Sequence, residues 1–156
     1  MNTLPTDEVP NRLMVEVHNY TPSQFCIGNK DESWGKLIYY WGKGHHSTIE
    51  PERNATYGEE DEIIADYNKM KTKFIDKGIP VIMGEYGAYR RSDPAYLPKD
   101  LAMHNASLDY WISFTTKEAL ARGIKPFWWD IGAAVDRSNF NVKDQRTIDA
   151  IKAGAN

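Results

Sequence analysis

The chain has 156 residues, with 19 Lys and Arg against 22 Asp and Glu for a formal net charge of −3, and it is 41% hydrophobic and 26% charged. That balance excludes a disordered or collagen-like chain and fits one domain, while the single cysteine, Cys26, excludes an internal disulfide framework and any multi-cysteine zinc site. No run of about 18 apolar residues and no leader-like segment after Met1 is present, so neither a membrane span nor a signal peptide is expected, and the mild acidity argues against a nucleic-acid partner. The unusual feature is the aromatic load, five Trp, nine Tyr and five Phe.

In chain order, Leu13-Met14-Val15-Glu16-Val17-His18 reads as a first strand that leaves through His18-Asn19-Tyr20. The stretch from there to about Gly58 has no helical period and is rich in Gly, Trp, Tyr and His. Loops of that length inside a compact domain are uncommon and usually functional. From Glu59, the positions Ile63, Ile64, Tyr67, Met70, Phe74 and Ile75 fall on one helical stripe, with acidic residues at its start and Gly78 at its end. Ile79-Pro80-Val81-Ile82-Met83 reads as a strand buried on both faces, stopping at Gly84-Glu85-Tyr86-Gly87. A polar loop from Ala88 to Pro98 leads into a second helix, from about Lys99 to Arg122, with Leu101, Leu108, Ile112 and Ala119 on its buried side. A third strand, Ile124 to Trp129, breaks at Asp130, and an amphipathic segment from Val142 to Lys152 places Val142, Ile148 and Ile151 on one side.

This alternation of strand and helix implies an α/β fold with parallel strands, either a doubly wound sheet or a (β/α)8 TIM barrel. A closed barrel takes about 250 residues. Three units leave open sheet edges, so residues 1–156 read as a single incomplete barrel segment, the C-terminal portion of a larger barrel. The expected partner is the missing N-terminal barrel segment or a second copy of the chain in a dimer.

All three strands end in polar or aromatic residues: His18, Asn19 and Tyr20; Glu85 and Tyr86; Trp128, Trp129 and Asp130. In barrel enzymes the C-terminal face of the strands holds the active site. Glu85 follows an apolar run and lies next to Gly84, so its carboxylate must be paired or used: it is a functional group or a structural acceptor for backbone N–H groups or an Arg. His18, taken alone, reads as a core histidine bonded to a carbonyl rather than a functional group, and Tyr20 as either a functional group or packing with its hydroxyl solvated. Of Trp128 and Trp129, strand alternation sends one to the barrel mouth and the other to the helices. The neighbouring His45 and His46 diverge on an extended loop with no third ligand at metal spacing, which favours a solvated loop over a metal site.

The runs Arg12 to Pro22, Ile79 to Ala88 and Pro126 to Asp130 resemble the sixth, seventh and eighth strand segments of glycoside hydrolase family five. The likeness is greatest to subfamily four, the endo-β-1,4-glucanases (cellulases) and xyloglucanases. The resemblance implies that Glu85 is the nucleophile of a retaining mechanism, that Tyr20 hydrogen-bonds it, and that His18 lines the cleavage subsite. It implies that Trp129 is the stacking platform for the sugar at the scissile bond, since sugar rings offer apolar C–H faces to an aromatic plane. Trp34 and Trp41 in the long loop are expected either as further platforms on the cleft wall or as packing against the adjacent helix, and Asn19 is placed with the substrate-binding residues. Two departures stand out. Ile131-Gly132 replaces the family's Asn-Gly, and the Asn-Glu pair that carries the general acid/base occurs nowhere in the chain.

The resemblance therefore implies a glycoside hydrolase segment acting on a β-glucan polysaccharide, with no cofactor and no metal. The isolated chain is expected to be inactive, because retention needs two carboxyls. The parent enzyme is expected to be secreted or periplasmic. The alternative reading is a non-catalytic glucan-binding or self-assembling fragment, and Cys26 is expected to be a free thiol.

Overall fold

Alternation sets the first strand. In a computed structural model that describes residues 4–6 and 8–156, β1 (Val15–Asn19) turns Val15, Val17 and Asn19 to one side and leaves Glu16 and His18 exposed on the other. It pairs in parallel with β2 (Val81–Tyr86), which pairs in parallel with β3 (Lys125–Trp128), in the order β1-β2-β3. Helices connect the strands: the short α1 (Ser23–Cys26) and α2 (Glu60–Lys73) between β1 and β2, then α3 (Leu101–Ala121), with α4 (Gln145–Ala155) after β3.

The helix ends follow their charges and caps. Glu60, Asp61 and Glu62 occupy the first turn of α2, where they complement the exposed N–H groups, and Lys71 and Lys73 occupy its last. One further turn of 3₁₀ helix, Ile75–Lys77, carries the chain to Gly78, whose φ of 79° is the left-handed conformation that ends the element. Asp100 caps α3 by accepting from the Met103 N–H, and Asp144 caps α4 by accepting from Thr147. The last helix thus begins after Asp144. Val142, expected inside it, lies instead in a bridge with Val135 and is half exposed.

One core joins the helix side of the sheet, through Val81, Met83 and Tyr86, to Ile63 and Tyr67 of α2 and to Leu108, Trp111, Ile112 and Ala119 of α3. Leu101, expected on the buried side of α3, is exposed in its first turn. The buried side instead includes His104, Ser107, Thr115 and Thr116. Two of these polar groups, His104 and Ser107, serve the long segment between α1 and α2. His104 Nδ1 donates to the Tyr39 carbonyl at 2.7 Å, Trp41 N donates to Ser107 Oγ, and Ser107 Oγ donates to the Trp41 carbonyl at 2.8 Å. A loop without internal periodicity is held because α3 satisfies its backbone. The opposite face of the sheet has no cover among the described residues, and Met14 and Phe127 stand exposed there.

Candidate active site

Glu85 owes its direction to an irregularity. Simple alternation along β2 would put it with Val81 and Met83, under the helices. The register slips: Val17 pairs with Met83, but the next residue of β1, His18, pairs with Glu85. On the other side, β2 advances from Met83 to Tyr86 while β3 advances only from Pro126 to Trp128. This is a β-bulge with Gly84 as the extra residue, and it reverses the alternation beyond it. Tyr86 goes to the buried side, hydroxyl to hydroxyl with Thr116 of α3 at 2.7 Å, and Glu85 goes to the open face.

There the Tyr20 hydroxyl donates to Glu85 Oε2 at 2.8 Å, and His18 Nδ1 lies 3.5 Å from the same oxygen. Burial, reinforced by the hydrogen bond to the Glu85 carboxylate, pushes the Tyr20 phenol up to about 12, so it stays a neutral donor across the working range of an enzyme. The other ring nitrogen of His18 is 3.2 Å from Glu16 Oε1, and the Glu16 carboxylate fills the space over Gly84. Sequence reasoning passed over Glu16 as a partner of His18; the signal was the two-residue spacing that puts both on one face of β1.

Trp129 extends the ladder, its N–H donating to the Tyr86 carbonyl at 2.9 Å. Trp128 turns to the helix side, edge-on to Tyr86 at 5.3 Å, and Trp129 is 52% exposed. A cavity of about 760 Å³ opens beside it, bordered by Tyr20, Gly87, Tyr89, Trp128, Trp129 and Asp130. Asp130 is engaged structurally. Its Oδ1 accepts from the N–H groups of Gly132, Ala133 and Ala134, which folds the chain after β3 back on itself.

Three other expected residues lie apart from Glu85. Trp41 is wholly buried, its Nε1 donating to the Gly58 carbonyl at 2.7 Å and its ring against Tyr110 and Phe114. The expectation that it walls a cleft is corrected, since no face of the indole is free to meet a sugar; of the two alternatives, packing holds. Asn19 faces the helices, where its Nδ2 donates to the Tyr67 hydroxyl at 2.6 Å and its Oδ1 accepts from Thr21 N. Strand alternation sends it away from His18 and Glu85, so its assignment to substrate binding is also corrected. Trp34 is 71% exposed in the loop closed by the Glu32–Gly35 bridge.

His45 stacks on Tyr110 at 4.4 Å, and His46 Nε2 lies 2.7 Å from Glu59. Among the described residues no group of three or more His, Cys, Asp or Glu is placed to hold a metal ion, and no helix is long and apolar enough to cross a membrane. Cys26 is a buried free thiol, pushed up by burial.

The strand ends thus carry a carboxylate, a phenol donor and an exposed indole on the face where barrel enzymes hold their active sites. Residues 1–135 match the model of the cellulase family, glycosyl hydrolase family 5, and the chain belongs to that family. It is 31% identical over 157 residues to the xyloglucan-specific endo-β-1,4-glucanase BoGH5A of Bacteroides ovatus, covering 99% of this chain and 29% of that protein. To endoglucanase A of Paenibacillus barcinonensis it is 29% identical, covering 92% and 34%. Among solved structures, XEG5B, a xyloglucan-specific β-1,4-glucanase from a ruminal metagenomic library, superposes with a TM-score of 0.79 at 37% identity over 92% of this chain and 38% of that one. The Bacteroides ovatus family 5 xyloglucanase, solved with a XXXG heptasaccharide, superposes with a TM-score of 0.82 at 28% identity, covering 97% and 31%. The chain therefore spans about a third of the length of its curated relatives, and its sheet and helices are part of a (β/α)8 barrel.

Proposed function

We propose that the chain is the nucleophile-bearing portion of a retaining endo-β-1,4-glucanase that hydrolyses a cellulose-type glucan or xyloglucan. The observation that carries this reading is the hydrogen bond from Tyr20 to Glu85 at the strand end, beside an exposed Trp129. In the proposed reaction the Glu85 carboxylate attacks the anomeric carbon and the bond to the leaving oxygen breaks. A protonated carboxyl outside this chain supplies the proton to that oxygen. Water then cleaves the glycosyl ester, returning its proton to the same group. Tyr20 holds the carboxylate and His18 borders the reacting sugar. Trp129 stacks on the sugar's C–H face, and Trp34 offers an outlying platform.

Retention needs the two carboxyls about 5–5.5 Å apart. Without a second one the isolated chain turns nothing over, and the remaining barrel strands are its required complement. A polymeric substrate places such an enzyme outside the cytoplasm. The test is a reducing-sugar assay on xyloglucan and carboxymethylcellulose with the remaining barrel segment supplied in trans. Turnover abolished by Glu85→Gln supports the assignment, and turnover that survives it sinks it.

A second reading, a non-catalytic glucan-binding or self-assembling fragment, is favoured by the uncovered sheet face with Met14, Phe127 and Trp129 exposed. Affinity electrophoresis in glucan gels and light scattering test it. Binding that gives no turnover even with the remaining barrel segment supplied, or a stable dimer, favours this reading over the first.

A further inference from the structure

The segment between β3 and α4 is tied down at many points. Asp130 Oδ1 collects three N–H groups, Arg137 donates to the Asp130 carbonyl, Lys143 Nζ donates to the Gly132 carbonyl at 3.1 Å, and Lys143 N donates to the Ala134 carbonyl at 2.8 Å. Its outer half is a tight hairpin closed by the Val135–Val142 bridge and by Asp136 N donating to the Asn141 carbonyl at 2.8 Å. At the turn of that hairpin stands Phe140, with φ of 61°, in the left-handed region that a side chain with a β-carbon enters at a cost. Its ring is 83% exposed. Neither local conformation nor burial accounts for a phenyl group here, because glycine suits the turn better and the ring contributes nothing to the core. Such an outlier points to a use outside the fold.

Position suggests which use. The contacts of Arg137 and Lys143 to the carbonyls of Asp130 and Gly132 hold the hairpin against the residues that directly follow Trp129. Ile131, between them, is 73% exposed. Trp129, Ile131 and Phe140 thus lie on one segment folded back by hydrogen bonds, and the two aromatic rings offer the flat apolar surfaces that sugar rings stack on. The two cations of this segment, Arg137 and Lys143, are turned inward to the carbonyls of Asp130 and Gly132.

We propose that Phe140 is a sugar-stacking residue for a β-1,4-linked glucan, extending the binding track outward from Trp129. This deepens the glucanase reading above and rests on it. The strain gives the test two readouts of opposite sign. Binding of this chain to a glucan hexasaccharide and disaccharide is measured by calorimetry for the unaltered chain and for Phe140→Ala, Phe140→Gly, Phe140→Tyr and Trp129→Ala, with thermal unfolding alongside. Phe140→Gly is expected to raise the melting temperature and yet weaken the hexasaccharide about three- to tenfold, with the disaccharide unchanged and Phe140→Tyr restoring affinity. Hexasaccharide affinity unmoved in Phe140→Ala and Phe140→Gly, while Trp129→Ala abolishes binding, overturns the role of Phe140 and leaves the glucanase reading standing. Absence of binding by the unaltered chain, or binding indifferent to Trp129→Ala, overturns both. Phe140 variants that bind glucan normally but fail to assemble with the remaining barrel segment assign the ring to a protein contact and overturn the proposal as well.

Discussion

His104 ties the fold to pH. Its ring lies inside the core between α3 and the long loop, 1% exposed, with Nδ1 donating to the Tyr39 carbonyl at 2.7 Å and Nε2 accepting from the Arg91 N–H at 3.3 Å. That pair of bonds demands the neutral Nδ1–H tautomer, and burial lowers the group from 6.5 to about 4. The sign follows from proton binding. Between those two values the unfolded chain holds the proton and the folded chain does not, so acid favours unfolding. The contribution is intact above about pH 6.5 and is lost as pH falls toward about 4. Integrated from about pH 7 to about pH 4.5, the loss is roughly 2.5 kcal/mol, equivalent to a melting point lower by roughly 5–10 °C in a chain of this size. Asp31, drawn down to about 2 chiefly by the Arg53 guanidinium, loses its ion pair only below its ordinary 3.8 and stays out of the window. Urea unfolding at the two pH values, for the chain and for His104→Asn, measures the difference. The variant is expected to be less stable at neutral pH but to lose much less on acidification. An equal loss in both proteins would refute the assignment of the pH dependence to His104.

Three further outcomes are expected. Trp41→Ala costs about 3–5 kcal/mol of stability because it empties a filled core, whereas Trp34→Ala stays within about 0.5 kcal/mol; denaturant midpoints compare them. Gly154 of α4 lies where an added β-carbon would run into the Ser113 carbonyl and Thr116 of α3, so Gly154→Val destabilises by about 1–3 kcal/mol, read from thermal melts. Ultraviolet difference titration should show one tyrosine ionising near 12 that Tyr20→Phe removes and that Glu85→Gln shifts downward, because the neighbouring charge is gone.

The three strands, the three long helices and the strand-end position of Glu85 were legible because each depends on local periodicity, on charge at helix ends, or on where an apolar run stops. Chain order and the shortage of units also pointed to part of a barrel. The direction of Glu85 was not legible. Regular alternation hides it under the helices, and only the slip of β2 at Gly84 against both neighbouring strands turns it to the open face. Nor were the aromatics of the long loop separable by type. Trp34 and Trp41 stand in similar Gly-rich contexts, yet Ser107 and His104 of α3 bind the backbone around Trp41 and draw that stretch inward, while Trp34 stays on an outer bridge. Asn19 and His18 adjoin in sequence and face opposite sides. The sequence by itself thus determined which residues form elements and which lie at strand ends, since those are short-range properties. Which side chains meet at Glu85, and which aromatics reach solvent, was decided by strand register and by polar groups more than 60 positions away, and no local pattern records either.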